Sequence, residues 1–387
     1  MKTHTKLVLP LSLALISSGA NAAITLYEDD THSVSTDLLV NVFYSNSSND
    51  KLADASDPNS GMVSRDQSRV RIGFLPNYIG FNYNTSVNDL KIGARASFWV
   101  TLNDTDLHRG AEGLGTRSGI DVRQFYATVD GSWGQVLLGK DFGLFSRSNI
   151  LTDELLLGHG QTSDYYGLID GGNVSFGNIG SGYTYPFPKS QITYRTPNFS
   201  GFQLAVGVMD PNKSSASSSE DMPRFETELT YNWEKESTNF KAYASAVTQS
   251  SEDGNKDTDS NGFAGGLRVG FAGFALNASG FSTEGLGTVA GLDTIIVDEI
   301  NESKGYLVQG SYSVGDERFV VSYGKTEVDT QDVTTLTYDN LAFAWFHSFN
   351  QYLSLVAEYN RTEAEGPSHI GLIEKNDVVA IGAVVTF

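Results

Sequence analysis

The chain has 387 residues, with 26 lysines and arginines against 46 aspartates and glutamates, which gives a formal net charge of −20. This acidic balance argues against nucleic acid as a partner, and the absence of cysteine excludes disulfides, thiol catalysis and thiolate metal sites. The composition of 40 glycines, 22 phenylalanines and 18 tyrosines at a mean hydropathy of −0.22 suits many strands and turns with aromatic belts.

The first 22 residues have the pattern of a secretory signal. Lys2 and Lys6 precede an apolar run over residues 7–16, and small residues end in Ala20-Asn21-Ala22. We therefore expect residues 1–22 to be a signal peptide that directs export, and residues 23–387 to form one barrel domain. Loss of the two lysines leaves 24 basic against 46 acidic residues, a mature charge of −22.

From Thr36 onward the dominant pattern is alternation with a period of two, and after Ala22 no apolar run is as long as a transmembrane helix. In residues 225–233 the odd positions are mostly apolar or aromatic and the even positions are polar. The same alternation recurs in residues 70–74, 90–98, 191–195, 202–208, 267–269, 319–323 and 353–359. A soluble sandwich would also alternate, but so many aromatic residues near strand ends favour a barrel with its apolar side chains turned to lipid.

Tight and long connections between these strands alternate along the chain. Turns are predicted at residues 76–78, 130–134, 197–201, 234–237, 272–273, 314–317 and 348–351. Long loops are predicted at residues 46–66, 102–120, 142–189, 210–222, 250–260, 282–302, 329–334 and 362–375. The fold class is thus all-β, a transmembrane antiparallel β-barrel of about sixteen strands, with its turns periplasmic and its loops outside. A barrel of this size encloses a water channel.

The last predicted strand, residues 377–387, alternates and ends the chain in Phe387. In this it resembles the general, non-specific trimeric porins of Gram-negative outer membranes, and the resemblance extends over nearly the whole mature chain as strand order and loop rhythm. It implies an outer-membrane location, a homotrimer, contact with lipid and lipopolysaccharide, and recognition of Phe387 by the barrel-insertion machinery.

Three short matches to this family carry function, because its members line one wall of the pore constriction with arginines. Arg71, Arg123 and Arg195 resemble those positions, and alternation independently points Arg71 and Arg195 into the lumen. Where the family has a lysine on its first strand this chain has Asn41.

Arg69 and Arg95 face the lumen by alternation, so they could restore the basic wall at that point. At Arg123 the alternation is less regular, since it turns Gln124 and Tyr126 outward. A polar outward residue is tolerable if this strand contacts another subunit.

The longest connection, residues 142–189, resembles the family's third loop, which folds into the barrel and narrows the pore. Asp153 and Glu154 resemble the start of its acidic stretch, and Asp164 and Asp170 are further acidic candidates. The family's usual Pro-Glu-Phe-Gly-Gly tip is replaced by Leu-Gly-His-Gly at residues 157–160.

The resemblance implies passive diffusion of ions and small hydrophilic solutes. Opposed rows of arginines and carboxylates would create a transverse field that gives cations and anions separate tracks. The acidic mouths predict a mild preference for cations.

An outer-membrane enzyme and a substrate-specific channel are the two alternatives to a general porin. An outer-membrane barrel enzyme is disfavoured, because the sequence has no Gly-x-Ser-x-Gly elbow and no His-Glu-x-x-His motif. We expect no catalytic, cofactor or metal site. A substrate-specific channel for a sugar, phosphate or organic acid shares every barrel feature, and inward aromatic residues such as Trp99 and Tyr243 are too scattered to form the row that a sugar channel would need.

Overall fold

The computed structural model describes residues 23–103, 120–163, 177–254, 256–287, 302–329 and 335–387. Within these ranges the chain forms eighteen strand segments and one short helix. Their bounds are β1 Ile24–Glu28, β2 His32–Leu52, β3 Met62–Arg71, β4 Asn77–Val87, β5 Leu90–Val100, β6 Asp121–Gly131, β7 Gly134–Phe142, α1 Arg147–Leu151, β8 Pro188–Arg195, β9 Phe202–Met209, β10 Arg224–Lys235, β11 Thr238–Asp253, β12 Lys256–Phe271, β13 Phe274–Glu284, β14 Glu302–Val314, β15 Glu317–Asp329, β16 Thr335–Ser348, β17 Leu353–Glu365 and β18 Leu372–Thr386.

The strand segments close into an antiparallel barrel of sixteen strands. Each segment from β4 to β18 pairs with the next, and β18 pairs with β2 to close the ring. β3 and β4 pair with successive parts of β2, so they are two halves of one barrel strand. The short β1 pairs with β2 just beyond the point where β18 ends. The predicted barrel and its strand number are confirmed.

Strand pairing is interrupted between β3 and β4, and asparagine side chains form the hydrogen bonds at this point. Asn41 accepts a hydrogen bond from the backbone N–H of Gly73 at 2.6 Å and donates one to the carbonyl of Leu75 at 2.7 Å. Asn77 accepts from the N–H of Asn41, also at 2.6 Å. These amides replace ladder hydrogen bonds where the strand breaks its pairing. The turn predicted at residues 76–78 is therefore wrong. Pro76, which has no N–H, lies in the interruption between β3 and β4, and Tyr78 already pairs with Leu39 of β2.

The turn that follows lies instead between Val87 and Leu90, where Asn88 adopts a positive φ of 53°. Asparagine tolerates this left-handed conformation better than most residues. Three predicted loops are also shorter than expected. β11 continues to Asp253 and β12 begins at Lys256, and the connections after β2 and β17 cover only residues 53–61 and 366–371. Polar strand ends that extend beyond the apolar band cannot be distinguished from loops by composition.

The outer face of the barrel is apolar. On β8 and β9 the side chains of Ile192, Leu204 and Val208 are exposed, while the alternate positions Thr193 and Ala205 are buried. On β18, Val379 and Ile381 are exposed in the same way. Such rows are what a barrel turns toward acyl chains.

Aromatic side chains cluster near the turn end of the barrel. Phe202 and Tyr231 have ring centroids 4.4 Å apart, Phe274 and Tyr312 are 4.3 Å apart, and Tyr352 lies 5.5 Å from Phe387. Aromatic girdles of this kind mark membrane–water interfaces. No helix among the described residues is long and apolar enough to cross a membrane.

Candidate functional site

The connection between β7 and β8 covers residues 143–187, and the structure describes residues 143–163 and 177–187 of it. Its side chains and backbone contact β6 on one side and strands from β10 to β18 on the other. Apolar residues of the connection, among them Phe145, Leu155 and Leu156, pack against inward residues of the wall. The described residues of this connection therefore contact inward side chains on opposite sides of the ring.

Wall glutamates hold this connection at three points along its length. Glu226 on β10 accepts hydrogen bonds from the backbone N–H groups of Leu144 and Phe145 at 2.5 and 2.8 Å. Further along, Glu358 on β17 accepts from the backbone of residues 159 and 160. Glu374 on β18 accepts from the hydroxyl of Ser163 at 2.7 Å. These inward carboxylates therefore act as anchors, and charge-assisted hydrogen bonds to backbone amides are strong ones.

Asp153, one of the predicted acidic residues, is buried inside the connection. Its carboxylate accepts hydrogen bonds from the hydroxyl of Tyr183 and from the amide of Gln309, both at 2.7 Å, and from the amide of Asn178. Burial raises the pKa of Asp153, although the hydrogen bonds from Tyr183 and Gln309 oppose that shift. The carboxyl group ties the connection to β14, and it does not face open lumen.

Glu154, the next acidic candidate, joins two wall arginines. Its carboxylate lies 2.7 Å from Nε of Arg268 on β12 and 3.2 Å from Nη1 of Arg318 on β15. Arg318 also donates to the backbone carbonyl of Glu154 at 2.8 Å. The structure thus brings Glu154 to arginines that the sequence analysis did not name. It does not bring Glu154 into an ion pair with the five predicted arginines. The remaining acidic candidates, Asp164 and Asp170, lie outside the described residues.

Arg69 and Arg71 lie on the inner face of β3, since the alternate residue Val70 is 64% exposed. The charge of Arg71 acts on His159, which is fully buried in the connection with its Nδ1 2.8 Å from the carbonyl oxygen of Gly160. Burial chiefly, and the charge of Arg71 secondarily, lower the pKa of His159 to about 3. The imidazole is therefore neutral at neutral pH.

Arg95 lies on the inner face of β5 and is fully engaged. Its guanidinium makes two hydrogen bonds to Asp37 at 2.7 and 2.8 Å, and it also donates to Asn82 and Gln124. Because the positive charge of Arg95 is paired with the negative charge of Asp37, the two residues together add little net charge to the lumen.

Arg123 lies between the wall and the connection. It donates to the hydroxyl of Tyr185 at 2.9 Å, pairs with Asp121 at 2.7 Å, and lies 5.2 Å from the ring of Trp99. The prediction that Gln124 faces outward is wrong, because Gln124 is buried against Arg95 and Phe125 is exposed in its place.

The prediction for Tyr126 is wrong for the same reason, since this side chain lies beside Asp141 and Arg95 on the inside. A register shift between β5 and β6, where Ser97 pairs with Gln124 and Trp99 with Asp121, breaks the strict alternation.

Arg195 lies at the end of β8 on the inner face, near Arg147, Glu228 and Asp141. Phe387 lies at the seam of the barrel, where its backbone exchanges hydrogen bonds with Leu38 of β2. The predicted signal peptide, residues 1–22, lies outside the described residues.

Several inward side chains of this region were not predicted as site residues, namely Glu226, Glu228, Lys241, Arg268, Arg318 and Glu358. Alternation could have predicted inward side chains at such positions, since Glu226 and Glu228 belong to the clearest alternating segment of the chain. No periodic signal says which of them meets the connection.

Inward aromatic residues do not form an open row. Trp99 stacks on Tyr78 with centroids 4.5 Å apart and meets Phe142 edge-on, but only 2% of it is exposed. These rings pack the base of the connection against the wall, so a sugar could not slide along Trp99. Among the described residues no group of three or more histidines, aspartates or glutamates could hold a metal ion.

The buried imidazole of His159 gives a pH prediction. Its pKa lies near 3 in the folded protein and near 6.5 when exposed, so the unfolded state binds the proton more tightly. The stability that depends on this neutral group is complete above pH 6.5 and falls, by about 1.4 kcal/mol per pH unit at most, as the pH drops toward 3.

We expect His159→Gln to lack this loss, and the unfolding free energies of both proteins, measured across this pH range, test it. The shift of Asp153 has the opposite sign but is present in both proteins, so the difference between them isolates His159. A constant difference would contradict the prediction.

Comparison with known proteins agrees with this architecture. A family model described as Gram-negative porin matches residues 11–367. Among solved structures, the chain is similar to the outer membrane channel DcaP of Acinetobacter baumannii, with 17% identity and a TM-score of 0.65 over 94% of this chain and 100% of that one. A search of curated protein sequences finds no significant match.

Two further structures share the fold. An anion-selective porin from Comamonas acidovorans has 16% identity and a TM-score of 0.60, and the trimer form of in-vitro folded OmpT from Vibrio cholerae has 14% and 0.56. Each match covers 92% of this chain and 100% of the other. Because the family model spans most of its length, the chain belongs to the Gram-negative porin family, whose members are β-barrel channels of the outer membrane.

Proposed function

We propose that the protein is a water-filled outer-membrane channel for passive diffusion of ions and small hydrophilic solutes. The observation that carries this proposal is the separation of the two barrel faces. Exposed aliphatic side chains form the outer rows, while charged and amide side chains such as Arg71, Glu228 and Gln309 line the inner face. A polar inner face of this kind suits an aqueous passage.

Purified protein inserted into planar lipid bilayers tests the proposal. We expect stepwise conductance in KCl and, in liposome-swelling assays, entry of several unrelated small sugars and amino acids at rates that fall with size. A protein that inserts but conducts no ions would contradict the proposal, as would entry of a single solute class.

The channel is narrowed, in this proposal, by residues 143–187 as an inward-folded third loop. Its anchoring on Glu226, Glu358 and Glu374 supports that role. Arg69, Arg71, Arg95, Arg123 and Arg195 remain the proposed basic wall of the constriction. Asp153, Glu154, Asp164 and Asp170 remain its proposed acidic residues, although the engaged carboxylates of Asp153 and Glu154 favour an anchoring contribution.

A mild preference for cations follows from the mature charge of −22, because acidic mouths concentrate cations within a Debye length. The zero-current potential across a KCl gradient measures the preference. A clear preference for chloride would reject it and would assign selectivity to the inner wall.

A substrate-specific channel is the second candidate. The observation in its favour is a group of inward basic side chains near Arg195 and Lys241, which would suit phosphate or an organic acid. Competition experiments distinguish the two candidates. Strong block of the ion current by one solute at low concentration would contradict a non-specific channel. Catalysis is not proposed, because a channel accounts for the features of the inner face.

A homotrimer embedded in lipid and lipopolysaccharide completes the proposal, with residues 1–22 removed on export and Phe387 presented to the barrel-insertion machinery. Support for the trimer comes from the fold shared with OmpT of Vibrio cholerae, which has a trimer form. Migration on detergent gels before and after heating tests it. A single barrel-sized band in unheated samples would count against the trimer.

A further inference from the structure

We propose that Glu317, Trp345, His347 and Phe349 form a binding site on the outer face of the barrel for a phospholipid whose headgroup ends in a primary ammonium, such as phosphatidylethanolamine. The inference goes beyond the proposed channel function, because it concerns the lipid face and not the lumen. The four residues, called the headgroup site below, lie at the turn that joins β15 and β16 to their neighbours.

Strand alternation places the headgroup site on the outer face. Glu317 is two residues before Phe319, which is exposed, and the next residue along the strand is buried. On β16, His347 lies directly opposite Glu317 and is four residues after the exposed Phe343. Both side chains therefore face outward, between the apolar band of the barrel and the turn that precedes β15.

Aromatic side chains flank the carboxylate of Glu317. Its Oε2 accepts a hydrogen bond from Nε1 of Trp345 at 2.6 Å, and its Oε1 lies 2.8 Å from Nδ1 of His347. The imidazole of His347 stacks on Trp345 with centroids 6.0 Å apart, and it meets the ring of Phe349 edge-on at 4.6 Å. The side chains of Glu317 and His347 remain 35% and 26% exposed, so a headgroup can reach them.

The headgroup site has a negative charge that no lysine or arginine of the described residues pairs. The ion-pair partner of Glu317 is His347, which carries a charge only when it is protonated. Arg318 is next in sequence, but it points to the inner face and pairs with Glu154. The cross-strand neighbour of Glu317 on β14, Val314, is apolar. The site is therefore complementary to a cation.

A primary ammonium matches the acceptors of this site. A carboxylate has about four lone-pair positions, and the ring nitrogens of Trp345 and His347 use two of those of Glu317. A neutral imidazole that donates through Nδ1 leaves Nε2 as a further acceptor. The N–H groups of an ammonium can donate to these atoms, and aromatic rings within about 6 Å stabilise its charge. At a membrane–water interface, a phospholipid headgroup is the source of such an ammonium.

Anchoring of the barrel at the interface does not by itself require a carboxylate here. At another turn, Tyr194 donates its hydroxyl to the backbone carbonyl of Trp133 and stacks on its ring, with no acid between them. Trp345 and His347 instead direct a ring nitrogen each toward the same carboxylate, that of Glu317. Charges on the lipid face cost stability, although less near the interface than at the midplane. A bound cation offsets that cost.

Native mass spectrometry of the full mature protein tests the headgroup site. The protein is titrated in detergent with phosphatidylethanolamine, phosphatidylcholine or phosphatidylglycerol that have identical acyl chains. We expect the first phosphatidylethanolamine to bind about tenfold more tightly than phosphatidylglycerol, because one hydrogen bond to a charged group is worth roughly that factor. Phosphatidylcholine has no N–H donor and should bind with intermediate affinity.

Two variants should abolish the preference for phosphatidylethanolamine. Glu317→Gln removes the negative charge, and His347→Arg places a permanent cation beside the carboxylate and so occupies it. Asp316→Asn is the matched control, because this exposed carboxylate lies one residue away in the turn. An exposed charge there is screened by salt, so this variant should retain the preference.

Equal affinity of the wild type for phosphatidylethanolamine and phosphatidylglycerol would overturn the headgroup site, as would a preference that persists in folded Glu317→Gln. Circular dichroism and heat-modifiable migration verify that each variant forms a barrel. Loss of an oligomer band in unheated Glu317→Gln, without a change in lipid preference, would also overturn it. This face would then be an interface between copies of the chain.

Discussion

Replacing Glu358 by alanine is expected to enlarge the channel. This carboxylate on β17 accepts hydrogen bonds from the backbone N–H groups of His159 and Gly160 at 2.9 and 2.8 Å, and from Asn360 at 2.6 Å. It is the anchor nearest the middle of the described part of the connection. Removal of the acceptor leaves two buried N–H groups unsatisfied at roughly 1–3 kcal/mol each, so docking is weakened by about 2–6 kcal/mol.

Residues 157–160 should then leave the wall for part of the time. We expect a higher mean single-channel conductance, stronger current noise and faster entry of larger sugars into liposomes. Glu358→Gln should have an intermediate effect, because its amide keeps one acceptor oxygen and turns a donor toward the second N–H group.

Glu363→Ala is the matched control for this experiment. Glu363 lies on the same strand but on the outer face, with Lys375 3.8 Å away, and contacts no described residue of the connection. Circular dichroism and heat-modifiable migration verify that each variant forms a barrel. If folded Glu358→Ala conducts like Glu363→Ala, the anchoring by Glu358 is not what narrows the channel.

Replacing Gly324 by alanine is expected to push the returning part of the connection off the wall. A Cβ atom at Gly324 on β15 would collide with the carbonyl oxygen of Ser181 and would lie 3.3 Å from the Cα of Gly182. Both obstacles are backbone, which cannot move aside as a flexible side chain can. Overpacking of this kind costs about 1–3 kcal/mol.

We expect Gly324→Ala to unfold at a lower temperature and to increase conductance. Gly310→Ala on the neighbouring strand β14 is the control, because its Cβ would meet only the side chain of Leu276, at an ordinary 3.7 Å. Thermal unfolding in detergent and single-channel recording measure the two effects. Equal behaviour of both variants would contradict the close approach between Ser181 and β15.

The alternation in the sequence is sufficient to predict the barrel, its number of strands and the face on which most side chains lie. In β10 the alternation of Phe225, Leu229 and Trp233 with Glu226 and Glu228 is the alternation of the two faces, because successive strand residues point to opposite sides. Where the hydrogen-bonded pairing between strands is irregular, alternation does not predict the structure correctly. The asparagines that interrupt β3 and β4 and the register shift beside Gln124 depend on contacts between distant strands.

For the charged residues too, some properties follow from the sequence and others only from the tertiary structure. The sequence by itself determines which residues can face the lumen, Arg71 and Arg195 among them, since the side-chain period of a strand is a local property. Only the tertiary structure decided that Asp153 and Glu154 are buried anchors and that Arg195 and Lys241 are without ion partners among the described residues. The physical reason is that the contacts of a long aperiodic connection are set by hydrogen bonds and packing to strands as far as 211 residues away.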